Sequence, residues 1–178
     1  NDDLIEHAAM AAFWNGGQNC SANMRQIIAK PLVDDFMEKI LTRVAAFKLG
    51  DPIDPETTIG SMITPEHKAQ VMGYINKGTK EGAKLIVGGD VDGPGQFVAP
   101  TVFDGVTNDM TIARDEIFGP VLGVMPVSSP EEALSIASDP SRLTFPQPAA
   151  AAYSVGGPRH RQPPPESRPL FQPPPPSA

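Results

Sequence analysis

Apolar residues recur along the first 139 positions with two alternating spacings, one helical and one strand-like. Residues 2–14 show the helical spacing, with Leu4, Ala8, Met10 and Trp14 among the apolar positions predicted to face inward. Asp2 or Asp3 supplies an N-cap, and the pair Gly16-Gly17 is predicted to end the helix. The chain therefore opens with a predicted amphipathic helix that stops at a glycine turn.

Similar patterns predict the elements that follow. First come a strand over 24–29, a helix that Pro31 opens and a loop over 49–61. A helix capped by Thr64 follows, then a strand over 84–87 closed by Gly88-Gly89 and an extended segment over 97–103. The last predicted elements are a short helical or irregular passage over 108–114, a strand over 121–127 and a helix from Ser129. The predicted inward positions of the second helix are Leu32, Phe36, Ile40 and Val44, and those of the last helix are Ala133, Leu134, Ile136 and Ala137. Because helices and strands alternate, the predicted class is α/β with a mainly parallel sheet.

Composition changes abruptly near Pro140. Residues 141–178 contain 11 of the 21 prolines and carry four arginines against one glutamate. Such a segment buries too little apolar surface to offset its ordering entropy, so we predict a globular domain over 1–139 and a disordered, Pro/Arg-rich tail over 140–178. The overall net charge of −7 argues against a nucleic-acid surface. No apolar run is long enough to predict a membrane span.

The chain has one cysteine, Cys20, and three isolated histidines, His7, His67 and His160. One cysteine excludes an internal disulfide and fits a reducing, cytoplasmic location. None of the histidines has a Cys or His partner at metal-ligand spacing, so no metal site is predicted.

Cys20 stands in a stretch that favours chemistry over simple burial. A lone cysteine is most often an inert, buried apolar residue. Here Gly16-Gly17 precede it and small residues follow, which predicts a tight turn that presents the thiol between two regular elements. A thiolate that attacks a carbonyl needs such space and nearby backbone N–H groups for the developing oxyanion.

Two motifs carry a family resemblance. Phe13, followed after three residues by Gly17-Gln18-Asn19-Cys20-Ser21-Ala22, resembles the active-site cysteine signature of the NAD(P)-dependent aldehyde dehydrogenases. The segment Glu116-Ile117-Phe118-Gly119-Pro120 resembles a second motif of that superfamily. From position 20 to position 116 the separation is 96 residues, close to that of the family. The resemblance covers residues 1–139 and implies part of the cysteine-bearing catalytic domain.

This resemblance implies oxidation of an aldehyde to a carboxylic acid with NAD or NADP. Cys20 would be the nucleophile, forming a thiohemiacetal and then a thioester. Glu116 would bind the ribose hydroxyls of the nicotinamide half, and Phe118 would position the nicotinamide ring. Asn19 and Ser21 are weaker candidates for substrate contacts, and Trp14 is expected in the core. The family forms homo-oligomers, through segments that have no counterpart in this sequence.

Other family features also lack a counterpart here, namely the dinucleotide-binding domain, the general-base glutamate and the oxyanion-hole asparagine. One alternative is therefore a truncated, inactive remnant that acts at most as an interaction protein. A further alternative is a cofactor-independent thiol esterase that uses Cys20, although the sequence places no histidine to activate the thiol. Without the family resemblance, Asp115-Glu116 would be predicted to be a solvated acidic pair beside a turn.

Overall fold

The computed structural model describes residues 2–91, 93 and 95–139, so the predicted tail over 140–178 lies outside the described residues. The helices are α1 (Asp2–Phe13), α2 (Val33–Val44), α3 (Pro65–Lys80), α4 (Thr111–Arg114) and α5 (Pro130–Ala137). The strands are β1 (Arg25–Ala29), β2 (Lys84–Asp90), β3 (Val98–Asp104) and β4 (Val121–Val127). Short 3₁₀ turns cover Trp14–Gly17 and Lys30–Leu32.

The strands form one four-stranded sheet in the order β1-β4-β3-β2. β4 runs parallel to both β1 and β3, while β2 pairs antiparallel with β3 at the edge. In the β1–β4 register, Arg25 lies opposite Gly123 and Ala29 opposite Val127. The prediction of an α/β fold with a mainly parallel sheet is confirmed.

Helices cover both faces of this sheet. On one face α1 and α2 pack against Leu122 and Val124 of β4. On the other face α3 and α4 pack with Val121 and Met125 of the same strand. Successive residues of β4 therefore point to opposite cores, which explains why this segment is an almost continuous apolar run.

Several individual positions predicted to face inward were wrong. In α1 the buried residues are Ile5, Ala8, Ala9, Ala12 and Phe13, at the i, i+3, i+4, i+7, i+8 spacing of one helical face. Leu4 and Met10 lie on the exposed side of α1, and Trp14, in the 3₁₀ turn that follows, is also exposed. Because α1 carries apolar residues on both faces, periodicity alone does not select the buried one.

The same correction applies at the ends of two other helices. Pro31 lies in the 3₁₀ turn and α2 begins at Val33, so Leu32 is exposed while Phe36, Ile40 and Val44 are buried as predicted. In α5 only Ala133 and Ile136 are half-buried, and Leu134 is 69% exposed. α5 packs along β1 and β4 and contributes no fully buried residue.

β2 also differs from its prediction, because it continues through Gly88-Gly89 to Asp90. Its register against β3 shifts twice in this part of the strand. A Cβ added to Gly88 would lie 2.4 Å from Cα of Thr101, so only glycine permits this close strand approach. The glycines therefore form an irregular stretch of strand rather than its end.

Thr64 caps α3 as predicted, since its hydroxyl oxygen accepts a hydrogen bond of 3.1 Å from the backbone N–H of His67. Pro65 takes the first helical position. None of the helices in the described part of the chain has the length and apolar character needed to cross a membrane.

Candidate active site

The two sequence motifs lie at the same edge of the sheet. The loop that carries Cys20 leads into β1, and the loop that carries Glu116 leads into β4. These strands are parallel neighbours, so both loops enter the sheet from its amino-terminal edge. The fold therefore brings two motifs that are far apart in the sequence into neighbouring loops.

The Cys20 loop takes its shape from three consecutive residues in the left-handed region. Asn15, Gly16 and Gly17 have φ values of 54°, 63° and 67°. They end α1 and reverse the chain before Gln18. Residues beyond this reversal form a turn in which the N–H of Ala22 donates to the carbonyl of Asn19 at 3.0 Å. Cys20 lies at the tip of this turn, exposed and with a free thiol.

The main chain at Cys20 offers a hydrogen-bond donor. No described residue accepts a hydrogen bond from the backbone N–H of Cys20. Backbone N–H groups without a partner in the protein are the kind of donor from which oxyanion holes are built. The described structure thus provides one such donor at the predicted nucleophile.

Gly17 joins the Cys20 loop to the second motif. A Cβ added at Gly17 would lie 2.2 Å from the carbonyl oxygen of Gly119, so the two backbones are in direct contact. Met24, at the other end of the loop, accepts a hydrogen bond from the N–H of Ile117 through its sulfur at 3.1 Å. The loop is therefore attached to the Glu116–Pro120 segment on both sides of Cys20.

The Glu116–Pro120 segment presents a carboxylate and an aromatic ring. Glu116 is half-buried, and within the described residues its side chain forms no hydrogen bond or ion pair. Phe118 is half-buried and has an unusual φ of 56°. A carboxylate with no partner in the chain can accept hydrogen bonds from a diol, and a ring beside it can contact a planar heterocycle.

α3 supports both loops from one side. The side-chain oxygen of Gln18 accepts a hydrogen bond of 2.9 Å from the N–H of Ile63, just before the helix begins. In the first turn, Nε2 of His67 donates to the carbonyl oxygen of Phe118 at 2.7 Å. The amino-terminal end of α3 is therefore bonded to both motifs.

Tyr74 reaches the same segment from farther along α3. Its hydroxyl makes a long hydrogen bond of 3.4 Å to a carboxylate oxygen of Asp115. Burial, followed by the charge of Asp115 and this hydrogen bond, raises the pKa of Tyr74 above its ordinary value. Tyr74 is thus a neutral donor to Asp115 at physiological pH.

Asn19 and Ser21, the weaker candidates for substrate contacts, bond to each other. The side-chain oxygen of Asn19 accepts hydrogen bonds from the N–H and the hydroxyl of Ser21, at 3.3 and 3.2 Å. These two residues shape the turn around Cys20. Trp14 was predicted in the core and this was wrong, because its side chain is 59% exposed at the end of α1.

His67 was not predicted as part of the site, and Gln18 was quoted only as a member of the cysteine motif, without a role. His67 follows a clear helix start, but its contact with Phe118 spans 51 residues and has no local signal. Neither described histidine forms a hydrogen bond with Cys20: His7 bonds to the Asp3 carbonyl within its own helix, and His67 bonds to the Phe118 carbonyl. Among the described residues no group of three or more His, Cys, Asp or Glu side chains is arranged to hold a metal ion.

Comparisons with known proteins show which family the chain resembles. The model of the aldehyde dehydrogenase family matches residues 1–141. The betaine aldehyde dehydrogenase of Rhizobium johnstonii is 40% identical over 141 residues, and that of Cereibacter sphaeroides is 37% identical over 138 residues. Each match covers 77% of this chain but only 29% of the relative, so the chain spans less than a third of their length.

Solved structures give the same result. An NAD-dependent aldehyde dehydrogenase from Sinorhizobium meliloti matches with a TM-score of 0.74 and 38% identity, over 76% of this chain and 27% of that one. A Mycobacterium tuberculosis aldehyde dehydrogenase complexed with NAD⁺ matches with a TM-score of 0.73 and 38% identity, over 76% and 29%. The chain belongs to the aldehyde dehydrogenase family.

Proposed function

We propose that this chain supplies the nucleophile and the nicotinamide-binding loop of an enzyme that oxidises an aldehyde to a carboxylic acid with NAD(P). The observation that carries the proposal is the backbone contact between Gly17 and Gly119. This contact holds the Cys20 loop against the Glu116–Pro120 segment, where a nucleophile and a cofactor must meet for hydride transfer.

Cys20 has the proposed role of nucleophile. As a thiolate it attacks the aldehyde carbon, and the carbonyl oxygen becomes the alkoxide of a thiohemiacetal. The backbone N–H of Cys20, which no described residue engages, stabilises that negative charge. With NAD(P)⁺ bound as the hydride acceptor, collapse of the alkoxide would release hydride from the same carbon and leave a thioester on Cys20. Water would hydrolyse this thioester to the acid and the free thiolate, with release of a proton.

Glu116 and Phe118 fit the nicotinamide half of the cofactor. When bound, NAD(P)⁺ supplies the hydride acceptor. The half-buried carboxylate of Glu116 has no partner among the described side chains and can accept from both ribose hydroxyls. Phe118 presents its ring one position before the glycine that contacts the Cys20 loop. NAD⁺ is the proposed cofactor because related structures contain it.

The substrate is proposed only as an aldehyde, approaching Cys20 past the turn formed by Asn19 and Ser21. The name of the matched relatives refers to betaine aldehyde, but those proteins are more than three times as long as the matched segment. Homo-oligomer formation and a cytoplasmic location stay predictions, the first from the family resemblance and the second from the single cysteine.

Calorimetric titration of the 178-residue chain with NAD⁺ and NADP⁺ tests this proposal. We expect saturable binding, weakened by about tenfold or more in Glu116→Gln because a charge-assisted hydrogen bond is lost. The matched control is Glu38→Gln, which neutralises an exposed glutamate on α2 and should bind like the parent. Absence of binding in the parent chain, or equal affinity in Glu116→Gln, would reject the proposed cofactor role.

A further inference from the structure

Phe118 has a backbone conformation that is unfavourable for phenylalanine. Its φ of 56° lies in the left-handed region, which a bulky residue rarely adopts. Apart from Asn15, it is the one non-glycine residue in the described part of the chain with a positive φ. Such a conformation persists only where surrounding contacts fix it, and it often marks a functional segment.

His67 supplies one of these contacts. Its Nε2 lies 2.7 Å from the carbonyl oxygen of Phe118. A carbonyl only accepts hydrogen bonds, so Nε2 must carry the hydrogen and the tautomer of a neutral His67 is defined. The imidazole also lies edge-on to the phenyl ring, with centroids 6.2 Å apart and planes at 66°. A single side chain therefore holds both the peptide and the ring of Phe118.

His67 is itself held firmly. Its backbone N–H donates to the hydroxyl of Thr64, which caps α3. One turn later Val71 is fully buried against Gly119, where an added Cβ would lie 2.7 Å from a Val71 methyl carbon. The first turns of α3 thus fix two consecutive residues, Phe118 and Gly119, as a rigid unit.

We propose that His67 is a positioning residue for the nicotinamide site. By donating from Nε2 to the Phe118 carbonyl, it keeps that residue left-handed and so sets the direction in which the phenyl ring points. The inference rests on the proposed function, in which Phe118 contacts the nicotinamide ring. His67 acts through Phe118, with which it makes both its hydrogen bond and its ring contact.

Nuclear magnetic resonance on the isotope-labelled 178-residue chain tests the structural part. A positive φ brings the amide and α protons of one residue close together, so Phe118 should show a strong intraresidue cross-peak. A scalar coupling across the hydrogen bond should join His67 Nε2 to the Phe118 carbonyl carbon. His67→Leu should lose the strong cross-peak, whereas His67→Gln, which keeps an N–H donor, should retain it. The control His7→Leu removes an exposed histidine on α1 and should leave Phe118 unchanged.

NAD⁺ titration of the same variants tests the functional part. We expect roughly three- to tenfold weaker binding in His67→Leu, from loss of one hydrogen bond, and recovery in His67→Gln. An unchanged Phe118 cross-peak or unchanged NAD⁺ affinity in His67→Leu would overturn the proposal. If the parent chain binds no NAD⁺, the proposed function fails, while the cross-peak still decides whether His67 fixes Phe118. If His67→Leu does not fold, the test falls to the parent chain. There, a hydrogen found on Nδ1 of His67 instead of Nε2 would overturn the proposal, because Nε2 could not then donate to the Phe118 carbonyl.

Discussion

At the scale of single residues, Gly17 has the strictest requirement at the site. Its φ is +67°, and a Cβ there would lie 2.2 Å from the Gly119 carbonyl oxygen, 2.5 Å from the Gly119 carbonyl carbon and 2.9 Å from the Pro120 nitrogen. All three atoms belong to the backbone, so no side-chain movement relieves the clash. Gly17→Ala must therefore separate the Cys20 loop from the Glu116–Pro120 segment or distort both.

We expect Gly17→Ala to lower the free energy of unfolding by roughly 2 kcal/mol or more, as measured by urea denaturation. Gly105→Ala is the matched control, because Gly105 has a φ of +66° and no atom within 4 Å of an added Cβ. Gly105→Ala therefore has the same unfavourable backbone conformation as Gly17→Ala but no steric clash. Equal destabilisation in the two variants would contradict a tight contact between Gly17 and Gly119.

Sequence reasoning at this scale found the residues that stand inside motifs and missed those that support them. Cys20, Glu116 and Phe118 were identifiable because their neighbours form recognisable segments, and their roles stay predictions. His67 acts across 51 residues through one hydrogen bond, which no local pattern encodes. Trp14 was placed in the core because it is large and apolar, but Ile5, Ala9 and Phe13 occupy the inward face instead.

At the scale of elements, α3 carries most of the support for the site, and its start depends on Thr64. The hydroxyl of Thr64 caps the helix and holds the backbone of His67. Thr64→Ala should cost about 1 kcal/mol of the free energy of unfolding, measured in urea. Thr42→Ala is the control, because Thr42 is exposed inside α2 and bonds only to the Glu38 carbonyl one turn earlier. That change should be neutral or slightly stabilising. Equal effects of the two substitutions would show that the Thr64 cap contributes nothing.

Tyr74, also on α3, gives the fold a specific dependence on alkaline pH. Its pKa in the folded chain is raised by burial and by Asp115. Because the folded state favours the protonated form, the stabilisation is complete below the ordinary tyrosine value of about 10. It is lost as pH rises through the higher, folded-state pKa.

Urea denaturation from about pH 9 to about pH 11 measures this effect. We expect the free energy of unfolding to fall less steeply with pH in Tyr74→Phe than in the parent chain. Identical slopes in the parent chain and Tyr74→Phe would contradict a raised pKa at Tyr74.

Element types were predicted more accurately than element faces. The segments of β1 and β4 and the capped start of α3 match their predictions because hydrophobic spacing and cap residues act locally. The inward faces of α1 and α5 depend on which surface the rest of the fold offers. The continuation of β2 through Gly88 depends on a close approach to Thr101, a contact made only after strand pairing.

At the scale of the whole molecule, the position of the site relative to the sheet is unusual. Ligands of open α/β sheets generally bind beyond the carboxyl ends of the strands. Here both motif loops lie before β1 and β4, at the amino-terminal edge. General topology would therefore have indicated the opposite edge, and the motifs are what place the candidate site at the amino-terminal edge.

The arrangement of β1 beside β4 is what makes one site out of two distant motifs. β4 is central among the described strands and follows the Glu116–Pro120 segment directly. β1 follows the Cys20 loop and joins β4 in parallel register. We propose that these two loops form one functional unit, in which a cofactor bound at the Glu116–Pro120 segment alters the environment of Cys20.

The most direct test is the rate of Cys20 alkylation by iodoacetamide, measured with and without saturating NAD⁺. Cys20 is the only cysteine in the sequence, so every alkylation event reports on this residue. We predict that NAD⁺ changes the rate in the parent chain and leaves it nearly unchanged in Glu116→Gln at the same concentration. A parent rate that is identical with and without NAD⁺ would contradict the claim that Cys20 and the Glu116–Pro120 segment form a single site.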